Sequence, residues 1–102
     1  MDAQIEQQRE ELVRLCRLYY VQRLAIFGSA LREDFYSQNS DFDFLVEFQP
    51  LPPGKYADAY FGLMEGLETL FRRPVDLVVE SAIKNPYFLK SVQQSKTSLY
   101  AA

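Results

Sequence analysis

The chain has 102 residues, of which 48% are hydrophobic and 25% are charged, and its formal net charge at pH 7 is -3. This length and composition predict one folded domain over residues 1–102 and exclude a compositionally disordered chain. The acidic balance argues against binding a nucleic-acid backbone by charge, so we expect no direct nucleic-acid partner. The absence of histidine excludes Ser-His, Cys-His and His-ligated metal chemistry.

Cellular location is predicted from the cysteine count and from the apolar segments. The single cysteine, Cys16, cannot form an intrachain disulfide, which fits a reducing compartment. Residues 1–20 are charged from their start and lack the apolar run of a signal peptide. No segment has the roughly 20 apolar residues that a membrane-spanning helix needs. We therefore expect a cytoplasmic protein with no membrane partner, in which Cys16 is a buried core thiol.

The first half of the chain predicts one helix, one strand and a loop. Apolar residues at helical spacing predict an amphipathic helix from Asp2 to Tyr20. The β-branched and aromatic run from Val21 to Phe27 predicts a strand that ends at Gly28. Turn-forming residues without a clear period predict a loop from Ser29 to Ser40.

The second half predicts two strands and two helices. Alternating phenylalanine and valine over residues 41–48 predict a second strand, and the Pro/Gly-rich residues 49–54 predict an exposed connection. Helical spacing predicts a helix over residues 56–72, in which two glycines are unfavourable. The mostly apolar residues 74–80 predict a third strand, and Asn85 with Pro86 predicts the start of a helix towards Gln94.

Together these elements predict an α+β fold, a mixed sheet flanked by helices on one face, with the first two strands adjacent. The period alone leaves parallel and antiparallel pairing open. Aromatic residues make up 15% of the chain. Aromatics at helical spacing usually belong to the core, so Tyr19, Tyr60 and Phe71 are assigned to it.

Three aspartates on two predicted strands suggest a metal site. Asp41 and Asp43 lie on one face of their strand, about 7 Å apart along the chain, where their charges repel each other. Mg²⁺ would relieve this repulsion, because it prefers carboxylate oxygens together with water and phosphate. If Asp76 reaches the same edge, the three carboxylates could hold two ions roughly 3.5–4 Å apart, as in phosphoryl displacement. The alternatives are a solvated edge for the pair and an ion pair with Arg72 or Arg73 for Asp76.

A phosphate site is suggested where the first predicted strand ends. Gly28 allows close approach of the backbone to a phosphate, and Ser29 offers a hydroxyl and an N-H. Arg32 could neutralise charge on a leaving pyrophosphate. The alternatives are an ordinary turn for Gly28-Ser29 and a surface residue for Arg32.

The segment GSALREDFYSQNSDFDFLVEF, taken together with PVDLVV, resembles the signature of the DNA polymerase β-like nucleotidyltransferase superfamily. The match is greatest to its small prokaryotic members, the minimal nucleotidyltransferases of MNT antitoxin type, and covers nearly the whole chain. The resemblance implies a nucleotidyltransferase-like fold and a Mg²⁺-dependent protein adenylyltransferase. Asp41, Asp43 and Asp76 would bind magnesium and act in catalysis, while Gly28 and Ser29 would bind the triphosphate of ATP.

The same resemblance implies a partner. Minimal nucleotidyltransferases are similar to the antitoxin of a type VII-like toxin–antitoxin pair, in which AMP is transferred from ATP to a tyrosine of a HEPN ribonuclease toxin. A hetero-oligomer with the toxin would follow. The chain departs from the family where Glu33, rather than glycine, follows Arg32. Two alternatives remain: an antitoxin that blocks its partner by binding alone, and a nucleotidyltransferase whose acceptor is a small molecule or an RNA.

Overall fold

The structure is a computed structural model that describes residues 3–27 and 42–102. Its helices and strands follow the apolar periods of the sequence. One turn of 3-10 helix, Glu80–Ala82, follows the third strand. In chain order the other elements are α1 (Ala3–Gln7), α2 (Arg9–Leu18), β1 (Val21–Phe27), β2 (Phe42–Phe48), α3 (Lys55–Phe71), β3 (Val75–Val79), α4 (Pro86–Ser95) and β4 (Thr97–Ala101).

The four strands form one mixed sheet in the order β3-β2-β1-β4. Strand β1 pairs antiparallel with both β2 and β4, whereas β2 pairs parallel with β3. The parallel pair is possible because α3 returns the chain to the end of the sheet at which β2 begins, so β3 can run in the same direction. The predicted mixed sheet and the predicted adjacency of the first two strands are confirmed.

One face of the sheet carries the main core. Alternation places Phe42 and Phe44 on this face, where both rings contact Phe71 of α3 with centroids 5.3 and 5.9 Å away. Helices α1 and α2 contribute Ile5 and Leu12, which are fully buried against the same cluster. The first three helices therefore cover this face.

The opposite face carries a smaller cluster and corrects the expectation that the helices lie on one face only. Val92 of α4 is buried here with Ala25, Phe27 and Leu45. Strands β1 and β2 carry apolar side chains on both of their faces, so the second face must also be shielded from water. Helix α4 covers part of it. Helix α4 begins where predicted, with the Asn85 side chain accepting hydrogen bonds from the first turn.

Two further differences from the predicted elements concern the chain ends. The single predicted opening helix breaks at Gln8, whose φ of -105° and ψ of 14° leave the helical region. Strand β4 was not predicted, because Leu99 is its one buried residue and the segment shows little alternation of apolar side chains.

The two glycines of α3 allow α2 to approach closely. A Cβ atom at Gly62 would lie 2.3 Å from Cε1 of Tyr19, and one at Gly66 would lie 2.5 Å from Cδ1 of Leu15. Glycine costs a helix about 1 kcal/mol relative to alanine. Contact between the helices explains why glycine occupies these two positions.

Candidate functional site

Three side chains form a row across the sheet, near the end of β1 and the start of β2 and β3. Asp43 of β2 is the register partner of Phe27 in β1 and of Asp76 in β3. Register partners on neighbouring strands point to the same face, about 4.8 Å apart along the direction of the backbone hydrogen bonds. The face is that of Leu45 and α4, opposite the main core. The two aspartates, with Phe27, are called the aspartate row below.

The two carboxylates of the aspartate row are accessible. Asp43 is half-buried and Asp76 is exposed. Like charges directly opposite each other on neighbouring strands destabilise a sheet. A divalent cation, protonation or a basic partner relieves such repulsion.

Arg73 does not supply that basic partner. It donates a hydrogen bond from Nη2 to Oε1 of Gln4 at 3.0 Å, and its guanidinium lies 4.2 Å from the centroid of the Phe42 ring. Arg72 ends α3 in a left-handed conformation, with φ 56°. Within residues 3–27 and 42–102, Asp76 forms no ion pair. The ion pair considered from the sequence, between Asp76 and either arginine, is therefore absent there.

Two glutamates near the aspartate row, Glu47 on β2 and Glu80 directly after β3, have structural partners. Glu47, on the same face of β2 as Asp43, accepts hydrogen bonds from the backbone N of Ser81 at 2.8 Å and from its Oγ at 3.1 Å. Glu80 is paired with Arg23 and Lys96, each at 3.4 Å. These carboxylates fasten β3 and the following turn to the sheet, which separates their role from that of Asp76.

Tyr60 of α3 binds the edge strand that carries Asp76. Its hydroxyl donates a hydrogen bond to the backbone oxygen of Leu77 at 2.6 Å. Burial, followed by the negative charge of Asp76, raises the pKa of Tyr60, so the hydroxyl remains a donor at neutral pH. Sequence reasoning assigned Tyr60 to the core by its spacing, and nothing in that spacing indicated its backbone partner.

The remaining predicted site residues lie outside the described residues. They are Gly28, Ser29, Arg32 and Asp41, together with Glu33. Their predicted roles stay predictions. Among the residues that the structure does describe, no group of three metal-ligating side chains occurs, and the predicted set has two members there, Asp43 and Asp76.

The two described carboxylates fit a hard divalent cation. Mg²⁺ takes one or two protein carboxylates and completes its shell with water and substrate phosphates. Asp43 and Asp76 offer oxygen ligands from two adjacent strands, on one face and in register. The donor set therefore suits magnesium bound together with a phosphate ligand, rather than a closed structural site.

Sequence reasoning missed the aromatic side chains beside the aspartate row. The Phe88 ring of α4 contacts the Phe27 ring, with centroids 6.2 Å apart and planes at 71°. Phe88 is 43% exposed and its neighbour Tyr87 is 85% exposed. Their apolar character in a helix suggested no particular role, because the contact depends on α4 crossing the second face.

The chain is similar to known nucleotidyltransferases. A family model described as a nucleotidyltransferase domain matches residues 5–99. A protein of Methanocaldococcus jannaschii that carries the name "putative protein adenylyltransferase" is 43% identical over 76 residues, which cover 74% of this chain and 74% of that protein. A solved structure described as a "putative minimal nucleotidyltransferase" is 29% identical, with a TM-score of 0.71 and coverage of 95% of each chain.

A second solved structure shows the same fold at lower identity. It is a complex of a tri-AMPylated Shewanella oneidensis HEPN toxin with an MNT antitoxin. The matched chain is 17% identical to this one, with a TM-score of 0.64, and the match covers 95% of this chain and 72% of that chain. Among the described helices of the present chain, none combines the length and apolar character needed to span a bilayer. The family match covers nearly the whole chain and includes the two strands that carry Asp43 and Asp76. The chain therefore belongs to the nucleotidyltransferase domain family.

Proposed function

We propose that the protein transfers AMP from ATP to a tyrosine of a HEPN-domain toxin and so acts as the antitoxin of the pair. The observation that carries the proposal is the in-register pairing of Asp43 with Asp76 in a chain of the nucleotidyltransferase domain family. A relative bears the name of a protein adenylyltransferase, and a protein of the same fold is seen with an AMPylated HEPN toxin. Both support the proposal.

The proposed chemistry is an in-line displacement at the α-phosphorus of ATP. The acceptor hydroxyl oxygen forms a bond to that phosphorus while the bond to the bridging oxygen breaks, and pyrophosphate leaves with the electron pair. Asp76 accepts the proton of the hydroxyl. Asp41, Asp43 and Asp76 would hold Mg²⁺, two ions in all, which would supply charge stabilisation for the transferring group and the leaving group.

The phosphates would be held by the residues that follow β1. Gly28 and Ser29 would contact the triphosphate through backbone N-H groups and a hydroxyl, and Arg32 would neutralise the pyrophosphate. Phe27 is the last residue of β1 and belongs to the aspartate row. Gly28 follows Phe27 directly in the sequence, so the predicted phosphate-binding residues begin next to a member of the aspartate row.

Intact-mass spectrometry of the toxin tests the proposal. The purified protein, mixed with a HEPN-domain ribonuclease as the candidate toxin, ATP and Mg²⁺, should yield toxin whose mass rises by adenylyl units and whose ribonuclease activity falls. Asp43→Asn and Asp76→Asn should each abolish the mass change. Glu47→Gln is the matched control, since it removes a charge from the same face of β2 at a residue bonded to Ser81, and it should keep the transfer.

The outcomes distinguish transfer from binding alone. An unchanged toxin mass with an active toxin would refute the proposal. Neutralisation that survives in Asp43→Asn and Asp76→Asn, without a mass change, would instead assign an inhibitor that acts by binding. Glu33 beside Arg32 motivates that second possibility, because an extra carboxylate near phosphate weakens nucleotide binding.

A further inference from the structure

Phe88 occupies an unusual position on α4. One turn further along the helix, Val92 is 1% exposed and packs with Ala25 and Leu45 on the second face of the sheet. Phe88 points to the same side of the helix, because residues four apart lie one above the other. Phe88 nevertheless remains 43% exposed, and its ring contacts Phe27 at the end of β1. The first turn of α4 therefore holds a half-covered ring beside the edge of the sheet.

The position of this ring is fixed by the start of the helix. Oδ1 of Asn85 accepts hydrogen bonds from the backbone N of Tyr87 at 2.9 Å and of Phe88 at 3.2 Å. Pro86 follows the cap and is restricted to a φ that suits the first helical position. The T-shaped contact with Phe27 holds the ring against the end of β1. Because the backbone that carries Phe88 is already held in place, a ligand that stacks on the ring would lose little binding free energy to ordering this part of the protein.

The ring lies against one end of the aspartate row. Across the sheet the order is Asp76, Asp43 and Phe27, and Phe88 lies against Phe27. A nucleoside triphosphate has the same order of chemistry, with metal-binding phosphates at one end and an aromatic base at the other. Within residues 3–27 and 42–102, the other exposed phenylalanine is Phe61, whose ring contacts Tyr60 on α3 and lies outside this arrangement.

We propose that the exposed part of the Phe88 ring, beside Phe27, is the surface on which the base of the bound nucleotide stacks. This inference rests on the proposed function and adds to it the residue that holds the base. Stacking on an aromatic side chain tolerates every base, because each has a π-face, and it is stronger for larger rings. Phe88 should therefore favour purines over pyrimidines without separating ATP from GTP.

Calorimetric titration with two probes tests the proposal. Mg-ATP has a base, whereas magnesium tripolyphosphate carries phosphates alone. Phe88→Ala should weaken Mg-ATP binding about tenfold, since one stacked base contributes a factor of that order. Its affinity for magnesium tripolyphosphate should stay within about twofold of wild type. Phe61→Ala is the matched control and should leave both affinities unchanged.

Each outcome bears on a different claim. Wild-type protein that binds neither probe would refute the proposed function together with the stacking. Wild-type binding with equal Mg-ATP affinity in Phe88→Ala would refute the stacking alone, and so would an equal loss of both probes in a variant that remains folded. Loss of toxin binding with Mg-ATP affinity retained would also refute it and assign the ring to the partner. Phe88→Leu keeps an apolar contact to Phe27 and gives the same test if Phe88→Ala does not fold.

Discussion

Asp43 and Asp76 are register partners in the parallel strands β2 and β3, so their carboxylates stand on one face, opposite the main core. Two charges of the same sign are thus held by backbone pairing, and they can separate no further than their side chains allow. This repulsion acts wherever no cation or basic group relieves it, because the sheet holds the two carboxylates in this arrangement. Its effect should therefore be measurable in folding as well as in activity.

Asp76→Asn should stabilise the protein in the absence of divalent cations. Removing one of two opposed charges should raise the free energy of unfolding by roughly 0.2–1 kcal/mol. Mg²⁺ should raise the unfolding temperature of the wild type, because it binds the folded state, and should raise that of Asp76→Asn less. Thermal unfolding in EDTA and in millimolar Mg²⁺ measures both effects. An equal response of the two proteins to Mg²⁺ would argue against a site at Asp76.

Gly62→Ala should destabilise the protein although alanine is the better helix former. The new methyl group would meet the Tyr19 ring at 2.3 Å, and such overpacking costs about 1–3 kcal/mol. In a Tyr19→Ala background the same substitution should stabilise by up to about 1 kcal/mol, because the intrinsic preference for alanine then decides. Chemical unfolding of the four proteins gives the double-mutant cycle. A Gly62→Ala effect of the same sign in both backgrounds would refute the contact.

Tyr60→Phe should cost about 0.5–1.5 kcal/mol, the typical net value of one hydrogen bond. The substitution keeps the ring and removes the donor to the backbone oxygen of Leu77. Tyr56→Phe is the control, because its hydroxyl accepts a long 3.4 Å bond from the backbone N of Leu51 at an exposed site. Chemical unfolding should show a smaller loss for Tyr56→Phe. Equal losses would mean that the Tyr60 hydroxyl adds nothing to the edge strand.

Cys16 should make stability depend on alkaline pH. Burial raises the pKa of its thiol to about 12, whereas an unfolded cysteine titrates near 8.5. The folded state therefore resists ionisation, and its stability is full below about pH 8.5 and falls as the pH rises towards 12. Cys16→Ala lacks this dependence.

The difference between the two proteins isolates the thiol. Other groups titrate equally in wild type and Cys16→Ala, so they cancel when the free energies of unfolding are subtracted. Between pH 7 and pH 10 the wild type should lose up to about 2 kcal/mol relative to Cys16→Ala. A difference that does not change with pH would show that the thiol ionises freely in the folded protein.

Much of the sheet could be predicted because β1, β2 and β3 are rich in β-branched, aromatic and other apolar residues. Residues 42–48 show strict alternation on the core face, and β1 was predicted with its observed limits, Val21–Phe27. The break at Gln8 could not be predicted, because neither proline nor glycine marks it. Strand β4 escaped prediction because it buries one side chain at the margin of the sheet.

The candidate site was predicted in composition and not in arrangement. The sequence singled out Asp43 and Asp76 by their charge in apolar strands, but alternation fixes only which residues share a face of one strand. Their pairing depends on the parallel return of the chain through α3, and the direction of pairing was left open. The neighbours Tyr60 and Phe88 are hydrophobic residues at ordinary helical spacing. Their contacts with Leu77 and Phe27 arise from tertiary packing alone.

The two aspartates of the site are brought together only when β2 and β3 pair in their native parallel register. If β3 slid by one residue, Asp76 would turn into the cluster of Phe44 and Phe71, and Leu77 would turn towards water. Burying an unpaired charge costs several kcal/mol, a large share of the stability of a small domain. Molecules with a misplaced aspartate would therefore unfold and be open to proteolysis. A folded population would consist of molecules with the aspartate row assembled.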